Sequence, residues 1–409
     1  MVRSVQGSNL PAGWKYDHLD KFTIRGSGHT PNKEKSSYWN GGIKWVSLTD
    51  SSRLDKGFIF KTDKEISEEG IKNSSAVLHP AGTVILSRDA GVGKSAVLAS
   101  PMAVSQHFMA WRCDNGEKMN SWFLYNWLQL MKPEFERQAV GSTIKTIGLP
   151  YFKKLKIATP PYAEQEKIAR VISAWDQAIV VTENLLEKSQ QMKAALIQQL
   201  ITGTRRLPYY TEPRQKVKLG SLLKEEKSRN SKNSVSRVLS VTNHSGFVLP
   251  EEQFSKRVAS EDVRNYKIVR RGQFGYNPSR INVGSFARLD CYEVGLLSPM
   301  YVVFSINKDL LDSDFFMFWM ESNEAKQRIS SSTQGSVRDS VNFDALAGFS
   351  LKLPCLDEQA AVAEVISVAH HEIQILQAKL DCLKQEKKAL MQQLLTGKRR
   401  VTVDAKEAM

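Results

Sequence analysis

This 409-residue chain has only four cysteines, and Cys113, Cys291, Cys355 and Cys382 form neither a CxxC pair nor a pattern with histidine. That spacing argues against a zinc motif or a disulfide framework and fits a reducing compartment, the cytoplasm. No apolar run reaches the roughly 18 residues of a membrane span, and no segment has the form of a signal peptide. Residues 1–8 read as a loose leader. The seven histidines are scattered; His370-His371 lies in a helical pattern and is read as flanking a seam, not as holding a metal. Acidic charge is scarce: 43 Asp and Glu against 57 Lys and Arg leave a formal charge of +14. Such an excess favours a polyanionic partner, of which nucleic acid is the commonest.

Catalytic signatures are missing as well. Arg88-Asp89-Ala90-Gly91-Val92-Gly93-Lys94-Ser95 approaches a phosphate-binding loop, but Arg88 stands where the pattern needs its first glycine. The matching segment, Val283-Gly284-Ser285-Phe286, has no lysine, so both segments read as strand–turn–strand, the first with a basic tip. Thr159-Pro160-Pro161-Tyr162 is similar to the Asn/Asp-Pro-Pro-Tyr loop of amino-methyltransferases. Thr159, however, replaces the amide or carboxylate that would accept a proton from the base amino group. Its counterpart is Leu353-Pro354-Cys355-Leu356, and the prolines read as the start of a helix. No catalytic residue and no metal ligand is expected.

What the chain does have is itself, twice. Glu164-Gln165 recurs as Glu358-Gln359, and the run from Ala195 to Gly203 recurs from Ala389 to Gly397, both at one offset of 194 residues. A gap-free register is what a helix with fixed partners needs, because one inserted residue turns later side chains by about 100°. Upstream the correspondence is looser. Val46 to Asp50 answers to Leu239 to Asn243, Phe123 to Trp127 answers to Phe315 to Trp319, and Gly141-Ser142 answers to Gly335-Ser336. The drifting offset puts short insertions in loops, and suggests a constant frame carrying two distinct readers.

The expected fold is α+β, with two similar globular α/β domains, each followed by a long helix. Ile168, Ile172, Trp175, Ile179, Leu186, Leu196 and Leu200 follow three- and four-residue steps, with a polar break near Ser189. Val362, Ile366, Ala369, Ile373, Leu376, Leu380, Leu383, Leu390 and Leu394 form the second seam. These predict helices over about 162–202 and 356–396, ended by Gly203 and Gly397 and packed as an antiparallel coiled coil. Forty residues make a rod of about 60 Å. The division is 1–161 and 205–355 for the globular domains, 162–204 and 356–400 for the helices, and 401–409 for a tail.

Leu10-Pro11-Ala12-Gly13-Trp14, the segment from Tyr38 to Trp45, and the duplicated 160–203 pattern together resemble the specificity subunit of a type I DNA restriction–modification system, over nearly the whole chain. The resemblance implies two target-recognition domains, each reading one half of a split, asymmetric double-stranded DNA site. It implies helices that set the gap and dock methyltransferase subunits, typically two, to which restriction endonuclease subunits, also two, are added. S-adenosylmethionine, ATP and magnesium would then belong to those partners, leaving this chain without a cofactor. A rod of about 60 Å spans roughly 18 base pairs, enough to hold readers more than a helical turn apart.

Candidate DNA-binding residues come from corresponding polar loops. They are Ser87, Arg88, Lys94, Thr143 and Lys145 in the first domain, and Asn277, Arg280, Arg288 and Arg338 in the second. Arginine forks onto guanine and asparagine onto adenine, whereas lysine more often meets phosphate. Two rivals are an enzyme using residues 159–162 or 91–95, and a coiled-coil protein–protein adaptor with non-specific DNA affinity.

Overall fold

The computed structural model describes residues 10–243, 245–253, 262–333 and 340–402. Two compact units divide the chain: Met1–Glu183 with Lys379–Met409, and Asn184–Ala378. Each unit therefore draws on both repeats, and each long helix contributes one part to one unit and one part to the other.

In the first unit a five-stranded sheet has the order Ile24–Ser27, Phe108–Arg112, Val84–Ser87, Ser95–Leu98, Phe58–Ile59. Side chains alternate across a strand, so Val84 and Leu86 face the helix Ser121–Gln138 while Ile85 faces the other way. Ile85 joins Val46 and Met102 of a second sheet, ordered Lys64–Ile66, Trp39–Val46, Met102–Val104, Leu78–His79. Asn120 caps the helix by accepting from the backbone N–H groups of Trp122 and Phe123 at 3.0 and 3.1 Å. Lys15–His18 pairs antiparallel with Lys156–Thr159 and closes the domain.

The second unit repeats this plan with shorter strands. Leu223–Glu225, Val302–Ile306, Phe274–Tyr276 and Phe286–Arg288 form a sheet in the same order as the first four strands above. Gln215–Lys218 pairs with Ser350–Leu353 as the closing ladder. Asp312 caps the helix Ser313–Glu321 from the position that Asn120 holds in the first unit. Phe274, Phe304 and Phe316 pack with ring centroids 5.3 and 5.4 Å apart.

The long helices are Tyr162–Leu196, continued by a π-helical turn at Ile197–Ile201, and Leu356–Leu394. They pair antiparallel. In the first unit Asp176 meets Lys387 at 2.5 Å and Glu183 meets Lys384 at 2.8 Å; in the second Lys193 lies 3.2 Å from His370. The seam is more polar than expected, because Thr182 is buried in it as well as Ser189. The Thr182 hydroxyl donates to the Ala178 carbonyl at 2.7 Å, which satisfies it inside its own helix.

The two repeated motifs have one structural explanation. Gln165 accepts from the Asn120 N–H at 2.8 Å and donates to the carbonyls of Lys118 and Pro160 at 3.1 and 3.0 Å. Gln359 does the same with Asp312, Leu310 and Pro354 at 2.8, 3.0 and 2.9 Å. Glu164 binds Arg400 at 2.7 Å and accepts from the Trp14 indole at 3.3 Å. Glu358 binds Arg206, and Arg214 at 2.7 Å. Each glutamate at a helix start is thus held by an arginine that follows the end of the other helix.

Those helix ends also complete the cores. Met391, Leu394 and Leu395 pack with Ile168 and Ile172; Ile197, Leu200 and Ile201 pack with Val362 and Ile366. Gly203 and Gly397 adopt φ of 78° and 71°, the left-handed region that favours glycine. This lets the Arg205 and Arg399 N–H groups return to the carbonyls of Gln199 and Gln393, both at 3.1 Å. All four cysteines are free thiols, and burial pushes Cys113 up to about 12.

Candidate functional site

In the first unit three loops meet at one end of the strands of the main sheet. The 88–94 turn is closed by the Ser87 N–H on the Lys94 carbonyl at 2.8 Å, with φ of 40°, 117° and 85° at Ala90, Gly91 and Gly93. The Arg88 N–H reaches the His107 carbonyl, and the Ile147 N–H reaches the Arg88 carbonyl, both at 2.9 Å. The turn is therefore stitched to the 105–107 turn and to the 140–147 loop. Asp89, 7% exposed, accepts from Thr146 and lies 2.7 Å from His107 Nδ1 and 3.6 Å from Arg88. A buried carboxylate with several donors is the stable form of such a group.

The second unit builds the same junction. The Asn277 N–H meets the Ser285 carbonyl at 3.2 Å, and the Val341 N–H meets the Pro278 carbonyl at 3.0 Å, matching Ser87–Lys94 and Ile147–Arg88. Beside it lies a groove of about 690 Å³, lined by Thr242, Asn243, Asn277, Arg280, Met300 and Tyr301 among others. The first unit has a smaller groove at the equivalent place, about 230 Å³, with Thr30, Lys33, Thr49, Lys64, Gln106 and His107 in its lining.

The candidates from the sequence fall into three groups. Thr143 and Lys145 stand exposed on the 140–147 loop; Arg280 is exposed and Asn277 half-buried, both on the groove of the second unit. Four others have partners within the fold. Ser87 is 2% exposed and donates to the Asp89 carbonyl at 2.6 Å. Lys94 is not a free basic tip: its ammonium donates to the Ser51 carbonyl and hydroxyl at 3.1 and 3.0 Å. Arg88 is drawn to Asp89, and Arg288 bridges Asp290 and Asp314, both at 2.8 Å. Arg338, with Gly335-Ser336, lies outside the described residues.

Sequence reasoning passed over Gln106 and His107 in one groove and Thr242, Asn243 and Met300 in the other. The correspondence of Val46–Asp50 with Leu239–Asn243 was the available signal, since both segments line a groove. Thr159 is 3% exposed and Pro160 gives its carbonyl to Gln165, so residues 159–162 serve the helix start. Among the described residues no group of three or more His, Cys, Asp or Glu could hold a metal ion, and no helix is long and apolar enough to cross a membrane.

Comparison with known proteins adds to this geometry. A family model described as the type I restriction modification DNA specificity domain matches residues 11–190. The type I restriction enzyme MjaVIII specificity subunit of Methanocaldococcus jannaschii is 23% identical over 432 aligned positions, covering 98% of this chain and 96% of that one. The MjaIX specificity subunit of the same organism is 25% identical over 170, covering 42% of this chain and 39% of its own. Among solved structures, the S subunit of a type I restriction–modification system from M. genitalium superposes with a TM-score of 0.59. It is 12% identical, with 98% of this chain and 99% of the other covered. The HsdS subunit from Thermoanaerobacter tengcongensis gives 0.52 at 15% identity, covering 97% and 100%.

Proposed function

We propose that this chain, which belongs to the type I restriction–modification specificity family, is the subunit that reads a bipartite DNA sequence. Each unit reads one half-site through the loop junction and groove described above. The observation that carries this reading is that the two junctions share backbone hydrogen bonds while their grooves differ in side chains. One frame presenting two surfaces suits a split, asymmetric target.

The +14 charge favours the phosphate backbone, and its contribution would fall steeply with salt. Exposed Lys145 suits phosphate; Arg280 and Asn277 have the donor and acceptor patterns for guanine and adenine edges, each good pair contributing about 1–3 kcal/mol of discrimination. The two long helices set the gap between half-sites and dock two methyltransferase subunits, to which two restriction subunits are added. Catalysis, and with it S-adenosylmethionine, ATP and magnesium, belongs to those partners, and the complex works in the cytoplasm.

The test is to co-express the chain with the methyltransferase subunit encoded beside it and to map N6-methyladenine across the host genome by long-read sequencing. A split asymmetric motif that vanishes when this chain is omitted is the expected result. Methylation that is unsplit, or indifferent to the chain, would refute the reading.

A further inference from the structure

The groove of the first unit contains a directed chain of hydrogen bonds. The Thr30 hydroxyl donates to Gln106 Oε1 at 2.5 Å, Gln106 Nε2 lies 3.5 Å from His107 Nε2, and His107 Nδ1 lies 2.7 Å from Asp89. With a carboxylate facing it, Nδ1 carries a proton, and in that neutral tautomer Nε2 accepts from the Gln106 amide. An accepting Nε2 turns the amide nitrogen towards His107, which leaves the oxygen facing Thr30 to accept from its hydroxyl. Asp89 is in turn held from the opposite side by Thr146.

A glutamine amide has two acceptor positions on oxygen and two N–H donors. Thr30 uses one and His107 the other, which leaves Gln106 with one acceptor and one donor. Gln106 is exposed and lines the groove. One acceptor and one donor side by side on a fixed amide complement N6–H and N7 of adenine in the major groove. The Asp89 cluster closes the loop junction, and the contacts it extends to the exposed Gln106 hold that side chain as a base reader needs, before contact.

Resting on the recognition role proposed above, we infer that Gln106 is a specificity-determining residue that reads an adenine in the half-site of the first unit, with Thr30, His107 and Asp89 as its positioning residues. The corresponding turn of the second unit, Ser298–Tyr301, carries Pro299 and Met300, which offer no side-chain donor. This reader therefore belongs to one half-site only.

The experiment is methylation mapping with the methyltransferase complex carrying Gln106→Ala, beside wild type. The expected result is a motif relaxed at one adenine position of one half-site, by roughly 5- to 150-fold in preference, with the other half and the gap unchanged. His107→Ala should relax the same position to a smaller degree and no other, an effect that a purely structural role would not confine to one base. An unchanged wild-type motif in Gln106→Ala would overturn the inference, as would relaxation in both halves or loss of all methylation by a variant that still binds the methyltransferase. Absence of a split motif in wild type would instead remove the recognition role itself.

Discussion

The two ends of each unit obey different rules. At the helix starts the repeats are held to the same residues: Gln165 and Gln359 make the same three bonds, and Glu164 and Glu358 each take an arginine from beyond the other helix. At the loop junctions only the backbone is common, and Gln106-His107 stands opposite Pro299-Met300. The helix starts must close a fixed geometry around buried charge, where a change in either partner leaves an unpaired ion. The loops face outward from a frame already closed by main-chain bonds, so their side chains are free to differ. Sameness where the fold is locked and difference where it is open is the form expected of one scaffold bearing two specificities.

The locks are alike but not equal, and that difference can be broken experimentally. The Glu358 side chain is fully buried and holds Arg214, itself 6% exposed, as well as Arg206. Glu358→Ala should therefore destabilise the second unit by about 3–5 kcal/mol, because two cations lose their counter-ion and one of them is buried. Glu164 faces Arg400, whose side chain is 46% exposed, so water takes up much of the loss. Glu164→Ala should cost about 1–3 kcal/mol, chiefly through the orphaned Trp14 indole N–H. Hydrogen exchange followed by mass spectrometry separates the two units and checks the order; equal losses of protection would contradict it.

The glycines sharpen the same comparison. Gly203→Ala and Gly397→Ala each force a left-handed residue to carry a Cβ, at about 1–2 kcal/mol. The added carbon would meet the Arg214 guanidinium at 2.8 Å in one and the Pro11 ring at 2.7 Å in the other. Only Gly203→Ala disturbs the arginine of a lock, so only it should diminish the effect of Glu358→Gln in a double-mutant cycle.

Acid should act on the second lock in a defined window. Burial would raise the Glu358 carboxyl, but Arg206 and Arg214 outweigh it and hold the group below the usual range. A carboxyl whose folded pKa lies below its unfolded one contributes fully above about pH 4.3, and the contribution is lost as pH falls through the lowered folded value. Protection around Glu358 should thus be flat near neutrality and fall only in acid. A fall beginning near pH 6 would contradict the assignment.

Much of the scaffold was legible in the sequence because helical register is written in spacing. The 194-residue offset and the apolar steps gave both long helices, and Gly203 and Gly397 gave their ends. The partners of Glu164 and Glu358 were not legible: Arg400 and Arg206 stand just beyond the helix ends, and nothing local says which distant carboxylate they meet. The site was harder still. Arg88, Lys94 and Arg288 came from corresponding polar loops, yet position in such a loop does not tell a free cation from one that meets Asp89, Ser51 or Asp290. Gln106 was missed because a neutral residue in a three-residue turn carries no motif; its significance lies in Thr30 and His107 coming together around it.

Two readers acting separately would each survive damage to the other, and Arg280→Ala tests that most directly. Arg280 is exposed on the groove of the second unit, so its loss should leave the fold intact. Methylation mapping of the variant complex should show one half-site relaxed or lost at one or a few positions, with the other half-site and the gap identical to wild type. Equal degradation of both halves in a folded, methyltransferase-bound variant would contradict the two-reader account.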